Sequence, residues 1–153
     1  MKKSNTTILL ILLVFLLSYS CKKDDDIDKI TRADYYGEYY GKDTNSWGGC
    51  SVASVEISES TLSDKHIAIK GLTRRWENTI VAVIDQNQIT IDNNTFHIEY
   101  HSPGGAYYNY NATYFGSGSL DTSNHELIFH FTEKQIFEDT TFVIQWKTMV
   151  IKI

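Results

Sequence analysis

From residue 55 onward, apolar side chains return at every second position in short runs. Val55 and Ile57 alternate with Glu56 and Ser58, Ile67 and Ile69 with His66, Ala68 and Lys70, and Ile89 and Ile91 with Gln88, Thr90 and Asp92. Phe96, Ile98 and Tyr100 alternate with His97, Glu99 and His101. An extended strand puts alternate residues on one face, so this period commits the chain to half-buried β-strands. Thr79 to Ile84 is apolar on both faces, which predicts a central or doubly covered strand. Leu127, Phe129 and Phe131 mark another strand, and Thr141 to Ile153 a long last one. The phase of the last run switches near Lys147, from Phe142, Ile144 and Trp146 to Met149, Ile151 and Ile153, which predicts a bulge there. Asp85-Gln86-Asn87, Asp92-Asn93-Asn94 and Asp121-Thr122-Ser123-Asn124 separate the runs with side chains that favour tight turns. Consecutive strands are therefore expected to pair as hairpins.

A meander of about eight to ten such strands must hide its edges, and closing into an antiparallel barrel is the simplest way. A two-sheet β-sandwich is the alternative. A single proline and the absence of a helical period fit an all-β chain. Residues 34–153 are enough for one domain with one core.

The N-terminus has a different character. Met1-Lys2-Lys3 is basic, Ile8 to Leu17 is uninterrupted apolar chain, and small Ser18 and Ser20 stand just before Cys21. A bilayer span needs about 20 apolar residues, so this run is too short for a transmembrane anchor. The arrangement resembles a bacterial lipoprotein signal, and Cys21-Lys22-Lys23-Asp24-Asp25-Asp26 resembles the start of Bacteroidota lipoproteins, where an acidic run after the cysteine accompanies export to the cell surface. The resemblance implies a signal peptide over 1–20, lipid attachment at Cys21, an acidic tether over 21–33 and an outer-membrane location facing the exterior. Cys21 as an anchor leaves Cys50 with no intrachain partner, and burial at a strand start is expected for it.

Charge narrows the partners. The chain carries 14 Lys and Arg against 19 Asp and Glu, and loss of the leader would remove two more lysines, Lys2 and Lys3. Nucleic acid is excluded as an expected partner, since binding it needs a basic face. Arg74-Arg75-Trp76, the one basic-aromatic cluster, reads as a solvated turn with a packed indole. No nucleophile elbow, zinc-protease helix or phosphate loop is present, so the expectation is a binding protein without catalytic residues or cofactor. His97-Ile98-Glu99-Tyr100-His101 alone has a flavour of metal chemistry. Strand residues two apart rise about 6.8 Å, so His97 and His101 are too far apart to share an ion, and no metal is expected.

Tyr36-Gly37-Glu38-Tyr39-Tyr40-Gly41, Val83 to Ile91 and Gly116-Ser117-Gly118-Ser119-Leu120 ahead of Leu127-Ile128-Phe129 give spacing, glycines and hairpins that resemble the lipocalin-like, or calycin-like, barrel lipoproteins of Bacteroidota. Gly37-Glu38-Tyr39 stands where lipocalins carry Gly-x-Trp, with tyrosine for tryptophan, and the last strand has lysines where lipocalins have a stacking arginine. The resemblance implies a barrel that binds a small apolar molecule. Phe96, Tyr100, Phe129, Phe131, Phe142 and Trp146 are expected to face inward.

Apart from Tyr19, the tyrosines fall into two groups, Tyr35, Tyr36, Tyr39 and Tyr40 at the domain entry and Tyr100, Tyr107, Tyr108, Tyr110 and Tyr114 around one loop. Pro103-Gly104-Gly105 just before Tyr107, Tyr108 and Tyr110 predicts a loop that exposes these rings beside Asn109 and Asn111. Rings and amides together suit a glycan or an extended peptide. The candidate ligand-binding residues are Tyr100, Tyr107, Tyr108, Tyr110 and Trp146, for a small apolar or glycan ligand. The competing reading is a structural or adhesive display module with a packed core.

Overall fold

The computed structural model describes residues 30–72 and 77–153. The leader, Cys21, the acidic run and Arg74-Arg75-Trp76 therefore lie outside the described residues. One helical turn, α1 (Arg32–Tyr35), precedes eight strands: β1 (Gly37–Asn45), β2 (Cys50–Glu59), β3 (His66–Lys70), β4 (Thr79–Asp85), β5 (Gln88–His101), β6 (Tyr107–Asp121), β7 (Glu126–Phe137) and β8 (Thr140–Lys152). Each strand pairs antiparallel with the next, and β8 returns to β1, from Asn45↔Trp146 to Tyr39↔Lys152. The sheet is a closed barrel, so the sandwich is ruled out.

Eight strands suffice because the Asp92-Asn93-Asn94 segment, expected to turn, instead stays within β5. The register with β6 slips between Ile91 and Asn94, a bulge that moves the inward positions from Ile89 and Ile91 to Phe96 and Ile98. The Asn94 amide substitutes for lost ladder bonds: its Oδ1 accepts from Val81 N at 3.0 Å and its Nδ2 donates to Val81 O at 3.1 Å. Asp121 does make its turn, with Oδ1 accepting from Ser123 N at 2.9 Å.

The bulge expected in the last strand is absent, because β8 pairs without a slip from Thr140 to Ile151. Ile144, Trp146, Thr148 and Val150 continue inward, while Met149, Ile151 and Ile153 are exposed. The inward position that broke the apolar pattern is Thr148, whose hydroxyl donates to the buried Asp43 carboxylate.

Inside, Ile67, Ile69, Ile80, Ala112, Leu127, Phe129 and Val150 are wholly shielded from solvent. An eight-stranded barrel has room for packed side chains or one small ligand, and around these residues side chains fill it. Thr79 to Ile84 does have both faces partly covered, with Ile80 and Ala82 innermost.

The two ends differ. The end where the chain enters carries α1 and the β4–β5 and β6–β7 turns. Thr31 and Asp34 form a capping box on α1, and the Thr31 hydrogen bonds hold the Asp34 carboxyl below its usual pKa. The Tyr35 hydroxyl donates to Gln86 O at 2.6 Å, and the Tyr39 hydroxyl donates to Tyr35 O at 2.8 Å. Both rings are fully buried and close this end. Lys152 holds its ammonium 5.9 Å from the Tyr39 ring centre, a cation–π contact at the closed end. The fold thus begins within the segment read as tether, since Ile30 already packs on the core. The opposite end carries the β1–β2, β5–β6 and β7–β8 connections.

Candidate functional site at the free rim

β5 and β6 pair from Asn94↔Tyr114 up to His101↔Tyr107, and the connecting loop is only residues 102–106. Tyr107 to Asn111 are therefore strand, not loop. The reason is cross-strand stacking: Tyr100 lies on Tyr108 with ring centres 4.7 Å apart and planes at 10°, and Tyr107 lies 4.9 Å from the His101 ring. Gly105, with φ +86°, makes the tight reversal, and Ser102 N donates to Ala106 O at 2.8 Å to close it.

The five candidate residues divide by depth. Tyr107 is 53% exposed, and Tyr108 and Tyr100 are each 37% exposed. Tyr110 is buried, stacked on Phe137 at 4.3 Å. Trp146 is partly buried, stacked on Phe131 at 6.1 Å. Of the aromatics expected inside, Phe129 and Phe131 are buried and Phe96 and Trp146 pack against the core, whereas Tyr100 and Phe142 lie at the mouth, exposed. They keep the inward phase of their strands, but β5 and β8 run past the level at which the barrel is filled.

Beneath the mouth sits a buried carboxylate. Glu133 on β7 accepts from the Tyr114 hydroxyl at 3.1 Å, from Gln135 Nε2 at 2.8 Å and from Trp146 Nε1 at 3.0 Å. Rings continue around it, Phe96 to Tyr114 at 5.9 Å and Tyr114 to Phe131 at 6.4 Å. Three donors on two oxygens make a positioning centre that fixes the floor of the mouth.

Above it, the first residues of β6 run past the end of β7, whose last pairing with β6 is Asn111↔Ile136. Between this overhang and the β7–β8 turn lies an open cleft of about 740 Å³. Tyr107, Tyr108, Asn109, Tyr110 and Asn111 of β6 line it together with Glu138, Thr140 and Phe142. Rings offer flat apolar faces, while amides, hydroxyl and carboxylate offer donors and acceptors. No lysine or arginine lines the cleft, so its chemistry suits a neutral polyhydroxylated ligand better than a phosphate.

The other candidates lie beside this site, on its outer side, or away from it. His97 and Glu99 sit exposed on the outer wall, His97 Nε2 3.0 Å from Glu99 Oε1 and Nδ1 3.2 Å from Asn111 Oδ1. The bond to Glu99, and next that to Asn111, raises the His97 pKa. Among the described residues, no three His, Cys, Asp or Glu side chains are placed to hold a metal ion. Cys50 is exposed, against the expected burial, because inward phase on β2 falls to Ala53, Val55 and Ile57.

Sequence reasoning passed over Glu133, although Leu127, Phe129 and Phe131 put it in the inward phase. Phe137, Glu138 and Thr140 join the cleft through the β6–β7 register, which the sequence pattern does not announce. No family model, curated protein or solved structure matches the chain.

Proposed function

We propose that this is a lipid-anchored surface protein whose barrel, of lipocalin-like architecture, binds an extracellular glycan in the cleft at its free rim, without catalysis. The observation that carries the reading is the opposition of the two ends. The chain enters beside α1 and the Tyr35–Tyr39 plug, so a tether from a lipidated Cys21 would hold that end to the outer membrane. The exposed rings and amides crown the other end, where they would face the surroundings.

The packed interior favours the rim over the barrel lumen as the binding place. A sugar ring laid on Tyr108 or Phe142 would bury C–H groups against an aromatic face, while Glu138 and Thr140 at the β7–β8 turn bond its hydroxyls. Tyr107 and Tyr108 offer contact area at low cost in conformational entropy. Lys152 over Tyr39 supports the architectural likeness to lipocalins, with lysine and tyrosine in place of arginine and tryptophan.

The test is retention of the purified chain on an array of immobilised polysaccharides. Tyr107→Ser and Tyr108→Ser should lose retention while the melting temperature holds, and Tyr110→Ser should lose stability because its ring is buried on Phe137. Unchanged retention in both exposed-ring variants, or no retention of the unaltered chain on any glycan, would remove the glycan reading.

A further inference from the structure

The outward phase of the final strand has no structural use for its apolar side chains, yet Met149, Ile151 and Ile153 occupy it. Pairing carries the pattern sideways. Ile151 lies opposite Tyr40 on β1, and Met149 lies between Lys42 on β1 and Ile128 on β7, with Val52 of β2 beyond Lys42. Tyr40, Val52, Ile151 and Ile153 are 53%, 63%, 54% and 81% exposed, and Met149 is 39% exposed. The result is a contiguous apolar island on the outer wall of β1, β2 and β8, of the kind that marks an interaction surface.

Its position names the occupant. Ile153 N donates to Glu38 O at 3.0 Å and Lys152 Nζ to Asp34 O at 3.5 Å, which puts the island's lower edge beside the point of chain entry. From Ile30 to Cys21 is nine residues, a reach of at most about 30 Å when fully extended. β8 itself has 13 residues, about 33 Å along the axis of a tilted barrel. A lipid on Cys21 therefore holds this wall within about one barrel length of the bilayer.

We propose that the β1–β2–β8 wall rests on the phospholipid surface, with Tyr40, Met149, Ile151 and Ile153 entering the headgroup boundary; the proposal rests on the anchoring reading of Cys21. Lys42, set between Met149 and Val52, and Lys147 at the island's upper side can extend their ammonium groups to headgroups. Glu38 and Glu126 border it below, so the attraction is apolar rather than a response to anionic lipid. Tethering supplies the local concentration that so small a surface needs. The wall would lean on the membrane while the opposite rim stays clear of it.

Met149 is the only methionine beyond Met1, so its oxidation by peroxide reports on the island alone. The chain from Cys21 onward, with Cys50→Ser so that Cys21 is the sole thiol, is coupled through Cys21 to a maleimide lipid in phosphatidylcholine vesicles. Coupling should slow Met149 oxidation several-fold relative to the uncoupled chain, and Tyr40→Ser with Ile151→Ser should restore the fast rate without releasing the protein or lowering its melting temperature. Equal rates with and without coupling would overturn the proposal. So would protection of the uncoupled chain that grows with protein concentration, which would assign the island to a second copy of the chain. Because the lipid is attached chemically, failure of biological lipidation shows separately, as a native chain that does not partition into detergent.

Discussion

Replacing Tyr39 with Phe should change how the barrel responds to alkali. Burial, with the nearby Asp34 charge adding to it, pushes the Tyr39 hydroxyl up to about 12, and burial pushes Tyr35 well above its usual range. An acid whose pKa is raised by folding holds its proton longer in the native state than in the unfolded one. Its contribution is whole below the unfolded value of about 10 and is lost as pH climbs toward the folded value. A two-unit shift corresponds to roughly 3 kcal/mol, lost between about pH 10 and 12 from Tyr39 alone. Tyr39→Phe also removes the hydrogen bond to Tyr35 O, which costs about 1 kcal/mol at neutral pH. The variant should therefore start less stable at pH 7 and fall less steeply above pH 10, so that the two curves meet and cross between about pH 10 and 12. Urea midpoints followed by circular dichroism at a series of pH values read this directly. Parallel curves for the two proteins, displaced by a constant amount, would refute the argument that the plug tyrosines carry the alkaline sensitivity.

Gly41→Ala should lower stability by about 2 kcal/mol or more, because a Cβ there would stand 2.0 Å from Met149 O at the β1–β8 seam that closes the barrel; a denaturant midpoint within error of the unaltered chain would show that the seam can open to admit it. Cys21→Ser should abolish partitioning into detergent while the barrel still gives a cooperative melt, and a variant that stays in the detergent phase would contradict lipid attachment. Replacing Asp24, Asp25 and Asp26 together with Ala should lower protease accessibility on whole cells at constant total protein, and unchanged accessibility would remove their role in display.

Alternation alone identified most of the wall, because Val55, Ile57, Ile67, Ile69, Leu127 and Phe129 obey the two-residue period that a barrel imposes. Where polar side chains do structural work, the pattern misleads. Asp92-Asn93-Asn94 has the composition of a turn, but the Asn94 amide replaces ladder bonds to Val81 and lets β5 continue through a bulge. Thr148 looked like the edge of a phase switch because its burial depends on Asp43, more than a hundred positions earlier in the chain. The apolar run after it then reads as a change of phase through a bulge, although it lies on the outer wall. The rim was half legible: Tyr107 and Tyr108 are exposed as their loop-like surroundings predicted, whereas Tyr110 is buried on Phe137, a contact set by the β6–β7 register. Glu133 was visible as an inward position, but its three donors come from three separate places in the sequence.

The central claim is that the rim cleft opposite the chain entry takes a glycan. Backbone amide resonances of the isotopically labelled chain, followed while a retained oligosaccharide is titrated in, test it most directly. Shifts gathered in Tyr107 to Asn111 and Ile136 to Phe142, with Tyr35, Tyr39 and the β1–β8 wall unmoved, are the predicted result. Shifts centred on the plugged end or the outer wall, or none at saturating sugar, would contradict it.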